Sequence, residues 1–183
     1  GVMVTASHNP AEYNGFKLCR EQAIPVSFET GIDRISKLTK QYHPLRGEHL
    51  GKVMASDIFV DYKKHVLKFA SNLRHLRVVI DAGNGMAGKT IPLVCEGLPI
   101  EIIPLYFELD GIFPNHEANP LKPENMVDLQ KKVRETRAHL GVAFDGDADR
   151  CVFVDEMGRI IGCDIITALI AKQILEREKG ATI

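Results

Sequence analysis

The chain is 183 residues long, 45% hydrophobic and 26% charged, with 23 Lys and Arg against 24 Asp and Glu. A formal charge of −1 excludes a protein that grips nucleic acid or an anionic membrane by bulk charge, and no run of about 18 apolar residues offers a transmembrane helix. Cys19, Cys95, Cys151 and Cys163 are scattered with no C-x-x-C spacing, which suits a reducing cytoplasm better than a disulfide framework or a zinc ribbon.

Val2 to Thr5 predicts a short apolar strand, followed by the turn-rich Ser7-His8-Asn9-Pro10 and then Asn14-Gly15. The opening residues form neither a basic nor a long apolar leader, so a cytoplasmic location is expected. Gly1 to Thr5 reads as the end of a strand and Gly180 to Ile183 as the start of one, so both ends are expected to be cuts. Residues 29–41 place Ile32, Ile35 and Leu38 at helical spacing, and a polar stretch with Pro44, Gly47 and Gly51 follows. Residues 56–73 set Ile58, Tyr62, Val66 and Phe69 on one helical face, with Ser56 as N-cap. Asn72 to His75 is the expected domain boundary, dividing the chain into 1–73 and 74–183.

The pattern is cleaner beyond that point. Arg77 to Asp81 reads as a buried strand, Gly83-Asn84-Gly85 as a turn, and residues 87–97 as a helix. Ile100 to Tyr106 is the next strand, residues 110–123 a Pro-rich loop, and Glu124 to Ala138 a helix turning Met126, Leu129 and Val133 inward. Strands at Leu140 to Phe144 and Cys151 to Asp155, a turn at Gly158 and a helix from Asp164 to Lys179 complete the series. This alternation implies an α/β fold of mixed, mostly parallel sheets flanked by helices.

Asp145-Gly146-Asp147-Ala148-Asp149-Arg150 places three carboxylates at alternating positions after an apolar strand. Hard oxygen ligands in so short a turn favour Mg²⁺ or Ca²⁺ over Zn²⁺. Asp145, Asp147, Asp149 and Glu156 have EF-hand spacing, but Arg150 stands where that loop requires Gly and the flanks read as strands. A phosphatase with an Asp nucleophile in a D-x-D pair stays open on spacing.

Gly83 to Thr90, GNGMAGKT, matches the phosphate-cradling pattern G-x-x-x-x-G-K-T, which would put Lys89 on phosphates and Thr90 on Mg²⁺. Pro92 counts against it, since proline is tolerated only in a helix's first turn; the helix would then start near Lys89 to Ile91 and leave Thr90 little freedom. The competing reading is a glycine turn that packs a helix against its strand. Ser7, at a strand end with His8 beside it and Lys17 downstream, is a candidate nucleophile or phosphate carrier, or else a plain turn serine.

Taken in order, TASHNP, NGFK, DAGNGMAG, FPNHEANPLKPEN and DGDADR resemble the α-D-phosphohexomutase family, most closely its phosphomannomutase/phosphoglucomutase branch. The resemblance spans essentially the whole chain. It implies phosphoglucomutase-like domains: residues 1–73 as the C-terminal part of domain I with the phosphoserine loop, and 74–183 as domain II with the metal loop. The early part of domain I and the sugar- and phosphate-binding domains are expected to be missing.

By that resemblance Ser7 carries the phosphoryl group, with His8 and Lys17 at the reacting centre. Asp145, Asp147 and Asp149 hold one Mg²⁺ together with a phosphoserine oxygen from Ser7, and Arg150 and Lys17 bind substrate. The implied reaction interconverts hexose 6-phosphate and hexose 1-phosphate, with a hexose 1,6-bisphosphate as activator and intermediate. The implied partner is a small phosphosugar, with no nucleic acid and no membrane. The piece alone is expected to bind Mg²⁺ weakly, to lack mutase turnover and to be able to self-associate through an open edge at Val2 to Thr5. Ala148 stands where the family more often has Gly, so an altered loop torsion is expected.

Overall fold

The computed structural model describes residues 1–42 and 51–183; Pro44 and Gly47 of the polar stretch lie outside the described residues. Strands β1 (Val2–Val4) and β2 (Phe16–Leu18) form an antiparallel ribbon with Met3 opposite Lys17. Three residues are too few to display alternation, so β2 is invisible in the sequence. It is brought across by the turn between, closed where the Thr5 N–H donates to the Gly15 carbonyl at 2.9 Å. Helix α1 (Asp33–Lys40) follows a turn wound by a Ser27–Thr30 capping box.

Helix α2 (Phe59–Leu67) is shorter than its apolar pattern. It packs against the helix at residues 87–95. Lys63 pairs with Glu96 at 2.8 Å, and the Lys89 ammonium sits 4.8 Å from the centre of the Phe59 ring.

The second unit runs β3 (Leu76–Asp81), α3 (Ala87–Cys95), β4 (Ile100–Leu105), α4 (Val127–Thr136), β5 (Leu140–Phe144), β6 (Cys151–Asp155), β7 (Ile160–Ile161) and α5 (Cys163–Arg177). The sheet order is β4-β3-β5-β6-β7, with β3 parallel to both β4 and β5, and β6 antiparallel to both β5 and β7. Helix α3 begins at Ala87, two residues before the window that Pro92 suggested. The Lys89 and Thr90 N–H groups both donate to the Met86 carbonyl, so the first turn is wound before proline interrupts the ladder. Residues 181–183 form no strand; a strand requires a neighbour to bond.

Alternation along the strands builds two cores. Val79, Ala143, Val152 and Val154 face α4, whose Leu129 and Val133, with Met126 just before it, are wholly buried. Val78, Ile80 and Val142 face the other way, towards Ile91 and Phe107. Strand β3 lies between β4 and β5, so the chain leaves it on one side and returns on the other. In such sheets the crevice at the carboxyl ends of the strands is where loops diverge and ligands gather. Here it receives the glycine turn after β3 and the acidic loop after β5. Among the described residues no helix is long and apolar enough to cross a membrane.

Two buried polar residues tie the loops at this edge. Asp81 is wholly buried; its Oδ1 accepts the Gly83 N–H at 2.9 Å and its Oδ2 lies 3.0 Å from His116 Nε2. His116 Nδ1 is 2.8 Å from the Glu117 carbonyl, which can only accept. Both ring nitrogens therefore face acceptors, the arrangement of an imidazolium against a carboxylate. Burial opposes that charge, but the hydrogen bond and charge of Asp81, aided by the Glu117 carbonyl and Asp128, outweigh it and raise the His116 pKa above its ordinary 6.5. Tyr106 packs edge-on against this ring and donates to Asp128 at 2.6 Å; that bond and burial push its phenol up to about 12. Asn84 donates to the Glu108 carbonyl and accepts from Asn115, so both ends of its amide are used.

A raised histidine pKa stabilises the fold fully below the unfolded value and ceases to do so as pH rises through the folded value. The urea midpoint of His116→Ala should therefore fall furthest below wild type at pH values under the ordinary histidine pKa, and the gap should narrow as pH rises through the raised folded value. A gap of constant size across that titration would show that the pair carries no charge.

Candidate active site

The ribbon delivers the first half of the site. Ser7 lies just past β1 with φ at 56°, a left-handed conformation that costs a non-glycine residue about 1–2 kcal/mol and marks a loop held by its surroundings. Its Oγ donates to Asp145 Oδ2 at 2.9 Å and accepts from Arg150 Nη2 at 2.9 Å. His8 Nδ1 lies 3.3 Å from the same hydroxyl and also receives Arg150 Nη2. Adjacency in sequence did not guarantee this contact; the turn provides it.

The acidic loop delivers the other half. Asp145 is wholly buried, with Oδ1 accepting the Arg150 backbone N–H at 3.0 Å and Oδ2 accepting Arg150 Nε at 2.9 Å. Lys17, on β2, bridges Asp147 at 2.9 Å and Asp149 at 2.7 Å. Those two bonds, Asp149 first, raise the Lys17 pKa. Burial resists ionisation of Asp147, but the hydrogen bonds from Lys17 and Thr5 prevail and hold its carboxyl at about 2. Ala148 takes the left-handed conformation at φ 61°, so the loop keeps a glycine-like torsion despite its Cβ. The expected change of torsion is not adopted, because the Ala148 N–H bonds back to the Asp145 carbonyl at 3.0 Å and holds the curl.

All seven residues singled out in the sequence thus meet. Thr5 was missed: it accepts the Ser7 N–H at 2.9 Å and donates to Asp147 Oδ2 at 2.9 Å. No spacing signals it, because its partner lies 142 positions away. The glycine turn is also present but engaged elsewhere. Met86 N–H donates to the Gly146 carbonyl at 2.9 Å, Thr90 Oγ1 donates to the Met86 carbonyl at 3.1 Å, and Lys89 is stacked on Phe59. Neither Lys89 nor Thr90 faces a phosphate cradle, so the turn packs a helix on its strand and supports the acidic loop.

One oxygen from each of Asp145, Asp147 and Asp149 lies within 4.8 Å of the others. Asp147 Oδ1 is buried without a hydrogen-bond partner. A buried carboxylate oxygen is costly unless a donor or a cation meets it. An all-oxygen set with one orphaned atom fits a hard divalent cation.

Residues 1–45 match the family model described as phosphoglucomutase/phosphomannomutase, alpha/beta/alpha domain I, and residues 57–158 match that for domain II. The chain is 42% identical over 185 residues to "Phosphohexose mutases" of Xanthomonas campestris pv. campestris, covering all of this chain and 41% of that protein. It is also 42% identical to a phosphomannomutase/phosphoglucomutase of Pseudomonas aeruginosa, again over all of this chain but 39% of the relative. The crystal structure of a phosphoglucomutase/phosphomannomutase family protein from Burkholderia thailandensis superposes with a TM-score of 0.83 at 35% identity, covering 98% of this chain and 38% of that one. The chain therefore spans about two fifths of the length of the curated relatives it matches. With two domain models matching in order and the fold shared, the chain belongs to the phosphoglucomutase/phosphomannomutase family.

Proposed function

We infer that this chain carries the phosphoryl-accepting serine and the cation-holding loop of a phosphohexomutase. The whole enzyme would move a phosphoryl group between C6 and C1 of a hexose phosphate, glucose or mannose, through a bisphosphorylated sugar. One observation carries the reading: Ser7 Oγ is held between the carboxylate of Asp145 and the guanidinium of Arg150, over sequence separations of 138 and 143 residues. A turn serine without function needs no such pair.

The residues would act as follows. Phosphoryl transfer asks the protein mainly for in-line placement and charge neutralisation. Ser7 Oγ accepts the phosphoryl group, and Arg150 is placed to donate to its oxygens. As the bond from Ser7 Oγ to phosphorus breaks, a bond from the sugar hydroxyl oxygen forms, and the hydroxyl proton must leave. Lys17 is the candidate to take it, but as an ammonium bridging Asp147 and Asp149 it must first shed its own proton. His8, whose Nδ1 lies 3.3 Å from Ser7 Oγ, is the second candidate. A phosphoserine adds a charge of about −1.5 to −2 to a loop that already holds three carboxylates. Asp145, Asp147, Asp149 and a phosphoserine oxygen would hold Mg²⁺. The bound ion would neutralise phosphoryl charge as a Lewis acid.

The phosphatase reading is disfavoured by burial. Asp145 is wholly buried and holds Ser7 Oγ and Arg150, so in-line attack would require it to give up the partners that place the serine.

Incubation with radiolabelled glucose 1,6-bisphosphate should place an acid-stable label on the peptide containing Ser7, and Ser7→Ala should remove it. A hydroxylamine-labile label on an aspartate would indicate an acyl phosphate and the phosphatase instead. Gly146→Ala is a geometric test, since a Cβ there would stand 2.1 Å from the Ser7 carbonyl oxygen. Labelling should slow by roughly a hundredfold, the cost of about 1 Å of misplacement, with an unchanged circular dichroism spectrum. Wild-type labelling would show that the two loops do not act as one site.

A further inference from the structure

We propose that His116 is a positioning residue for the acidic loop, acting through Asp81 and the glycine turn without touching a reacting atom. The proposal rests on reading Asp145, Asp147 and Asp149 as a cation site. His116 lies in the segment between β4 and α4, which neither supplies a carboxylate to that site nor contacts Ser7 Oγ.

The coupling is a short series of rigid contacts. The imidazolium bridges Asp81 Oδ2 and the Glu117 carbonyl, joining the end of β3 to the loop. The other oxygen of Asp81 holds the Gly83 N–H, which sets the glycine turn. One residue on, Asn84 is bound by Asn115, so a second clasp joins the same two segments. The turn then meets the acidic loop with no slack. Met86 N–H donates to the Gly146 carbonyl at 2.9 Å, and a Cβ on Gly85 would stand 2.6 Å from that oxygen. From the other side Phe113, three residues before His116, comes within 3.3 Å of where a Gly146 Cβ would be. Gly146 is thus clamped between the turn and the loop, and His116 joins turn to loop.

Removing the imidazole leaves a fully buried Asp81 oxygen without its partner. Such a group draws in water or turns towards a new donor. Either response moves the Gly83 turn, and the close backbone contact passes that movement to Gly146, between the ligand residues Asp145 and Asp147. Residues that orient a metal site from behind its ligands commonly govern affinity without any contact with the ion.

Mn²⁺ binding followed by electron paramagnetic resonance tests this, with hydrogen exchange of the Met86 amide measured in parallel. His116→Ala should weaken Mn²⁺ affinity roughly tenfold and speed Met86 exchange, while the Val79 amide in β3 stays protected. Asp81→Asn can keep both contacts, its Oδ1 accepting the Gly83 N–H and its Nδ2 donating to a neutral ring, so affinity should stay within about twofold of wild type. His116→Gln, which keeps one donor and most of the volume, should fall between them and serves if the alanine variant does not fold. Wild-type Mn²⁺ affinity in the His116 variants overturns the proposal, as does weakened affinity with unchanged Met86 exchange. Asp147→Asn checks the underlying reading separately. It should abolish Mn²⁺ binding; undiminished binding there would refute the cation site, and with it the role of His116.

Discussion

The site depends on a close approach of three backbones at Gly146. Its carbonyl receives the Met86 N–H, and its α-carbon lies so near the Ser7 carbonyl that no side chain fits between them. Gly85 is barred from a side chain by the same loop on the other side. Such contacts are stiff because they involve main chain, which cannot swing away as a rotamer can. The serine turn, the glycine turn and the acidic loop are therefore held in register with one another.

Charge is arranged around the same point. Three carboxylates face Lys17 and Arg150, an excess of one negative charge inside a chain whose total is also −1. Arg150 serves two groups at once, holding Asp145 through its backbone and side chain while reaching Ser7 with the end of its fork. That double use suits a planar guanidinium and would be lost with lysine. The orphaned Asp147 oxygen shows that cationic side chains alone do not complete the set.

Much of this was legible beforehand, for reasons that differ by element. Strands β3, β5 and β6 were placed well because continuous apolar runs between polar turns leave little choice. The ribbon partner β2 was invisible because it is only three residues long and exists through its pairing. Lys89 and Thr90 matched a nucleotide loop residue for residue, yet a stacked phenylalanine and a carbonyl one turn back occupy them. Patterns describe which residues are available; neighbours decide where those residues point. Thr5 and His116 illustrate the converse: both sit inside recognised motifs, but neither residue type announces the distant partner, Asp147 or Asp81, that folding brings to it.

Residue type and short-range spacing were enough to read an α/β alternation, three alternating carboxylates of hard-ligand type from Asp145 to Asp149 and a serine at a strand end. Those conclusions hold in any surroundings, because carboxylate chemistry and backbone periodicity are local properties. The family resemblance implied one site, but only the tertiary structure decided that Ser7 Oγ donates to Asp145, that Lys17 bridges Asp147 and Asp149, and that the glycine turn supports the acidic loop. Each of these contacts joins segments far apart in the chain. The crossing of β4, β3 and β5 in one sheet brings two of those loops to a common edge, and packing against Gly146 seats the serine turn upon them.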